Sequence, residues 1–339
     1  MSTMKIGLFC LTEHFGGSVQ DSIMEQLRLV ELADHLGFDE AWFAEHHFNR
    51  FSVIPDPVSM IAYSAAKTKN IRLGAAGFLT PFYHPVRLAE SIATLDNLSS
   101  GRLNGGFAKG GFAPDTKHFS HDPNELRALM FETVKVIDAL LHDKTPTSYQ
   151  GDYMEFNDVK IQPKPLQKKV PFYIATFANP ETIHFAARHG YGLLMSQGNS
   201  LEECIEVQKL YFSIAGVNPE MVLMRVFCLA DTYEEAYRIS RPSIDHFIKC
   251  MRAASSDIPP PQFNREHYDA ILKEREAFFN GQNFFDNGII GTAKQCIATI
   301  KTIQKEIPNI HIVLKPSSPD HGQNRTMLCE FNTKIRPHI

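Results

Sequence analysis

The stretch Glu40-Ala41-Trp42-Phe43-Ala44-Glu45-His46-His47-Phe48 decides how the chain is read. Residues 40–43 suit a short buried strand, and Glu45-His46-His47 begins where that run ends. A pair of histidines behind a buried strand places at least one imidazole where it can serve as an acid or base. The pair alone says little, so its neighbours must supply the context.

Upstream, residues 6–11 form a compact apolar run readable as a buried strand. Residues 22–36 carry Ile23, Leu27, Val30 and Leu32 at helical spacing, with Gly37 at the C-terminal cap. Downstream, the same alternation continues. Helices are expected at 57–67, 85–98, 124–141, 181–189, 201–215, 232–253 and 292–306, with a last helix running to the C-terminus. Further strands are expected at 71–78, 103–108, 171–175, 192–195, 222–230 and 309–314, and a hairpin at 149–161 turns at Gly151-Asp152. Eight strands alternating with helices imply a parallel sheet with crossovers. Eight such units in 339 residues imply an α/β fold of the (β/α)8 TIM barrel type.

Residues 254–287 break the rhythm, beginning near Ile258-Pro259-Pro260-Pro261 and ending in Gly- and Asn-rich sequence. They read as a long mobile insertion before the last β/α unit, a candidate active-site lid within one barrel domain spanning 1–339. In a barrel, chemistry belongs at the C-terminal strand ends. Cys10, Glu45-His46-His47, Gly77-Phe78, Lys109-Gly110 and Thr176-Phe177 all fall there.

Composition narrows the function classes. A formal net charge of −4 provides no basic field for nucleic acid, and no apolar run is long enough to span a bilayer. Six scattered cysteines without a Cys-x-x-Cys pair favour free thiols in a reducing cytoplasm. Neither His46-His47 nor His118-x-x-His121 has the i,i+4 spacing of helical zinc ligands, so no metal is expected. Lys109, flanked by Gly105-Gly106 and Gly110-Gly111, offers charge to a phosphate beside exposed backbone amides. Ala178-Asn179-Pro180-Glu181-Thr182 opens a helix, which makes it either a phosphate site or an ordinary cap. The small residues at 74–77 fit a flat ligand against the backbone or close packing inside the barrel.

Together these residues resemble the luciferase-like flavin-dependent monooxygenase family, and within it the α subunit of bacterial luciferase. The likeness runs through Met4-Lys5-Ile6-Gly7, Glu45-His46-His47-Phe48, His84-Pro85-Val86-Arg87 and Ser100-Gly101-Arg102. It continues through Arg127-Ala128-Leu129-Met130, Ala186-Ala187-Arg188-His189-Gly190 and Gly291-Thr292-Ala293. The resemblance implies a barrel enzyme that takes reduced FMN from a separate flavin reductase. Oxygen then adds to give a C4a-peroxyflavin, which oxidises an aliphatic aldehyde or similar apolar substrate.

By the same resemblance, His46 is the catalytic histidine, His47 is structural, and Asp115 is a carboxylate near the flavin ring. Lys109 replaces a phosphate-binding arginine, Ala178, Asn179 and Thr182 form the phosphate turn, and Ala76–Gly77 is a cis peptide beneath the flavin. Lys273 falls on a lysine of the lid and Arg275 lies close to a second, although Phe278, Phe279 and Gln282 replace much of its charge. The helices at 57–67 and 85–98 are expected to form a homodimer. Three departures stand out: Ala108 replaces a reactive cysteine, and Gln197 and Phe247 each replace a tryptophan, so light emission is not implied. The competing readings are a luciferase-like oxidoreductase acting on a sulfonate, a xenobiotic or with a deazaflavin, and a non-catalytic flavin-binding relative.

Overall fold

The computed structural model describes residues 4–256 and 280–339. Its strands are, in chain order, β1 (Lys5–Cys10), β2 (Glu40–Phe43), β3 (Arg72–Ala75), β4 (Phe78–Leu79), β5 (Leu103–Ala108), β6 (Thr147–Gln150), β7 (Glu155–Val159), β8 (Phe172–Thr176), β9 (Gly192–Met195), β10 (Met221–Leu229), β11 (Ile289–Gly291) and β12 (Ile310–Pro316). Eight of them pair in parallel in the order β12-β1-β2-β3-β5-β8-β9-β10, and β10 pairs back onto β12. The ring is therefore closed, and the fold is a (β/α)8 barrel. β6 and β7 form a separate antiparallel hairpin, and β4 and β11 add short pairings to β5 and β10.

The helices on the outside include α1 (Val19–His35), α2 (Pro57–Lys67), α3 (Pro85–Leu98), α4 (Ala113–His118), α5 (Leu126–His142), α6 (Pro180–His189), α7 (Leu201–Ala215) and α8 (Tyr233–Ser256). Their ends follow local chemistry. Ser18 and Asn179 cap α1 and α6 with side-chain oxygens, and Ser200 with Glu203 forms a reciprocal capping box on α7. β10 is buried along all nine residues, as a strand covered on both faces should be.

Glycine sets the approach of β3 to β5. A Cβ on Gly106 would lie 1.9 Å from the Ala75 carbonyl oxygen, and one on Gly77 would lie 2.9 Å from the Gly106 carbonyl carbon. A Cβ on Gly74 would lie 2.6 Å from the Trp42 ring, which fills the barrel interior edge-on to Tyr173. Close packing thus accounts for the glycines at 74, 77 and 106.

The structure differs from the sequence expectations in a few places. The strand expected at 71–78 is two pieces, β3 and β4, separated by the Ala76–Gly77 peptide, which is cis as the resemblance implies. α4 and β11 have no counterpart in the sequence pattern, because six and three residues are too few to show a period. The last α-helix ends at Glu330, widens into a π-helical turn (Phe331–Ile335) and then tightens into a 3-10 turn (Arg336–His338). Lys273, Arg275, Phe278, Phe279 and most of the 254–287 insertion lie outside the described residues. No helix among the described residues is long and apolar enough to cross a membrane.

Ser100-Gly101-Arg102 shows how one turn locks several elements together. Ser100 and Gly101 take left-handed φ values of 57° and 79°, which aims Arg102 back across the turn. Its guanidinium donates to the carbonyl oxygens of Ser99 (2.7 Å), Ile71 (2.6 Å), Thr68 (3.1 Å) and Ala65 (3.2 Å), and to Thr68 Oγ1 (3.0 Å). These bonds tie the end of α2 to the α3–β5 turn. Lysine has no planar fork with which to replace them. Arg102→Lys should therefore cost about 2–4 kcal/mol of unfolding free energy in urea titrations, close to the loss from Arg102→Ala. Near-wild-type stability of the lysine variant would contradict this account of the turn.

Candidate active site

The C-terminal ends of the barrel strands open onto a cavity of about 170 Å³. β1 contributes Phe9 and is followed by Leu11; β9 contributes Leu194 and Met195, and β10 contributes Met224. Ala76 and Gly77 line it after β3, Ala108 to Gly110 around the end of β5, and Thr176 and Phe177 around the end of β8. Cys10 does not line it. Strand alternation turns this buried thiol away from Phe9 and Leu11, and burial pushes its pKa well up. All six cysteines are free.

The two histidines separate. His46 lines the cavity, its ring packed edge-on against Phe51 at 4.5 Å and Phe112 at 6.0 Å between centroids. Its backbone amide donates to Ile54 O (3.1 Å), which pins the loop after β2. His47 lies off the cavity wall. Its Nε2 lies 3.1 Å from Glu45 Oε1, and its ring packs against Phe82 and Phe119. Glu45, 2% exposed, also accepts from the Tyr83 hydroxyl (2.8 Å) and the Leu79 amide (3.2 Å). Burial raises the Glu45 pKa, only partly offset by the bonds from His47, Tyr83 and Leu79. One buried carboxylate thus joins the loop carrying His46 to the segment that follows Ala76–Gly77.

At another part of the wall, polar groups collect at the N-terminus of α6. Asn179 caps that helix, with Oδ1 accepting from the Thr182 amide (3.1 Å) and hydroxyl (3.3 Å). Thr176 Oγ1 accepts from the Asn179 amide (3.1 Å). Arg127, from α5, donates through Nη1 to Thr182 Oγ1 (2.8 Å), and its Nε lies 3.6 Å from the exposed Glu181 carboxylate. Arg127, Lys109, Asn179 and Thr182 all line the cavity. Ala178, with a left-handed φ of 58°, lies beside this wall but not on it. Asp115 is fully buried on α4 and likewise lies off the wall.

Arg127 is the polar residue whose role the sequence left unmarked. Its partner Thr182 is 55 positions away, so no local spacing connects them. Phe51, Phe112, Met130, Phe247 and Met251 complete the apolar wall, and they arrive from four segments, with Phe247 and Met251 both on α8. Gln197 interrupts that wall with a buried amide whose Oε1 has no partner among the described residues. Among the described residues, no group of three or more His, Cys, Asp or Glu side chains is placed to hold a metal ion.

A sequence model of the luciferase-like monooxygenase family matches residues 4–308. The chain belongs to that family. It is 28% identical to limonene 1,2-monooxygenase of Rhodococcus erythropolis over 84% of this chain and 73% of that one. It is 30% identical to the alkanal monooxygenase alpha chain of Photorhabdus laumondii over 90% and 88%. It is 26% identical to the oxygenase component of the flavin-dependent trigonelline monooxygenase of Acinetobacter baylyi over 83% and 79%.

Among solved structures, monooxygenase RslO1 of Streptomyces bottropensis superposes with a TM-score of 0.85, 27% identity and 99% coverage of both chains. The oxygenating constituent of the 3,6-diketocamphane monooxygenase of Pseudomonas putida, in complex with FMN, shares the fold at a TM-score of 0.76, 18% identity and 99% coverage of both. An F420-dependent secondary alcohol dehydrogenase shares it at 0.75 and 19%, with 100% coverage of both. This chain is thus a luciferase-like, flavin-dependent monooxygenase.

The raised Glu45 pKa has a definite sign in the stability of this monooxygenase. The native state holds the Glu45 proton more tightly than the unfolded chain does. Ionisation therefore removes stability as pH rises from near the ordinary value of 4.5 through the folded value. Glu45→Gln removes that penalty. Its unfolding free energy relative to wild type should rise as pH increases from about 4.5 in denaturant titrations. Parallel pH profiles would show that Glu45 is not the titrating group.

Proposed function

We propose that this chain is the oxygenase of a two-component system that uses reduced FMN and O2 to oxidise an apolar substrate, with an aliphatic aldehyde as the first candidate. A separate flavin reductase supplies the reduced FMN. One observation carries the reading: a single cavity combines a cationic and hydroxyl-bearing end with an apolar chamber that contains one histidine. The relative named as an oxygenase component and the FMN-bound structural neighbour support it.

The residues present fit FMN. Arg127 and Lys109 supply positive charge, and the N-terminus of the ten-residue α6 supplies backbone dipoles beside the Thr182 hydroxyl. Asn179 holds the turn, and Ala178 enters through its backbone. Ala76 and Gly77 offer a wall without bulky side chains to a planar ring. When bound, reduced FMN supplies the electrons and the position at which oxygen is activated. His46 exchanges a proton with the reacting groups, while Phe51, Phe112 and Phe247 exclude water from them. Asp115 acts from behind the wall as a positioning carboxylate.

The proposal keeps 1–339 as one barrel domain with a lid in 254–287, working in the cytoplasm. It also places a homodimer contact on α2 and α3, where Tyr63 and Leu98 are exposed. A mass measurement that finds only monomer at micromolar concentration would remove that contact.

Flavin titrations test the cofactor site directly. Arg127→Ala should weaken FMN roughly ten- to hundredfold and leave riboflavin, which has no phosphate, unchanged. Equal loss for both flavins, or preference for a deazaflavin, would overturn the assignment. His46→Ala should lower turnover of the reductase-coupled reaction by about 10²–10⁴ while FMN affinity stays constant. The same assay across aldehydes, alkanesulfonates and aromatic compounds identifies the substrate class, and no oxygenated aldehyde product would remove the aldehyde.

A further inference from the structure

Four of the 11 methionines line the cavity: Met130 on α5, Met195 on β9, Met224 on β10 and Met251 on α8. They come from four elements of the barrel, so the cluster is not the stripe of one amphipathic helix. Each is at most 5% exposed, and all four line the cavity. Met60, Met221 and Met327 are buried to the same degree but lie off the cavity, whereas Met24 and Met154 are half-buried near the surface. The molecule therefore contains its own comparison set.

We propose that the four cavity methionines form an oxidation-sensitive modification site that damps the enzyme when organic substrate is scarce. The proposal rests on the reading above, in which reduced FMN meets oxygen in this cavity. Without a substrate to oxidise, reduced flavin passes two electrons and two protons to O2, giving oxidised flavin and hydrogen peroxide. A methionine sulfur lone pair then attacks one peroxide oxygen. The O–O bond breaks, the S–O bond forms, and the second oxygen leaves with both protons as water. The sulfur is oxidised by two electrons to the sulfoxide and the peroxide is reduced.

A sulfoxide replaces a soft apolar thioether with a polar acceptor. Set among Phe51, Phe112 and Phe247, it weakens the wall that holds an apolar substrate. Bound substrate opposes the change in two ways, by consuming the oxidant and by covering the sulfurs.

The test incubates the protein with FMN, flavin reductase, NADH and air, with and without decanal. Oxygen uptake is followed in the same vessel, and sulfoxides are mapped by peptide mass spectrometry. The expected result without decanal is at least about threefold more sulfoxide on the cavity four than on Met60, Met221 and Met327. The excess should persist with catalase and fall with decanal. Added hydrogen peroxide without flavin should instead mark Met24 and Met154 first. A Met195→Leu/Met224→Leu variant should retain activity longer under the same incubation. Oxygen uptake with no excess on the cavity four, or an excess abolished by catalase, overturns the proposal. Failure of the protein to bind FMN, read by flavin fluorescence, overturns the functional reading instead.

Discussion

The contact on which the rest of the structure depends is the approach of β3 to β5. Gly106 faces the Ala75 carbonyl so closely that a Cβ there would collide with it at 1.9 Å. No side-chain rearrangement relieves such a clash, because the obstacle is backbone. With glycine in place, Ala76 and Gly77 reach the cavity with little side-chain bulk, and β4 pairs with the end of β5 beside Lys109. The width of the chamber at this wall is therefore set by backbone packing.

The second constraint divides the polar groups. Glu45 takes His47, Tyr83 and the Leu79 amide, leaving His46 on the cavity side of the same loop. Across the barrel, Thr182 is held between Asn179 and Arg127. The two polar regions belong to different barrel units, with aromatic and methionine side chains lining the chamber around them. A histidine kept among phenyl rings works in a lower effective dielectric than one in water, which strengthens its interactions with developing charge.

Much of this order was legible in the sequence. The eight strands, the main helices and the strand-end placement of His46, Lys109 and Thr176 follow from periodicity and from turn residues such as Gly37. The separation of His46 from His47 came from the family resemblance, and the structure supplies its cause in Glu45. What stayed hidden depends on long-range contact: the Arg127–Thr182 bond spans 55 residues, and the cavity methionines converge from four elements. Asp115 and Ala178 show the converse. The family resemblance points to both, yet neither side chain reaches the wall, because α4 buries one and the left-handed turn before Asn179 directs the other. Packing alone requires glycine at 74 and 77, since the clashes there are with this chain's own atoms, and Ala76 and Gly77 also line the cavity.

The central claim is that this barrel holds reduced flavin away from water while oxygen reacts with it. Rapid mixing of the protein loaded with reduced FMN against air-saturated buffer measures that directly, through flavin absorbance. Protection predicts that oxidised FMN appears only after a delay, at least about ten times longer than free reduced FMN requires. Oxidation as fast as that of free flavin, with a full yield of hydrogen peroxide even when an apolar substrate is present, would contradict it.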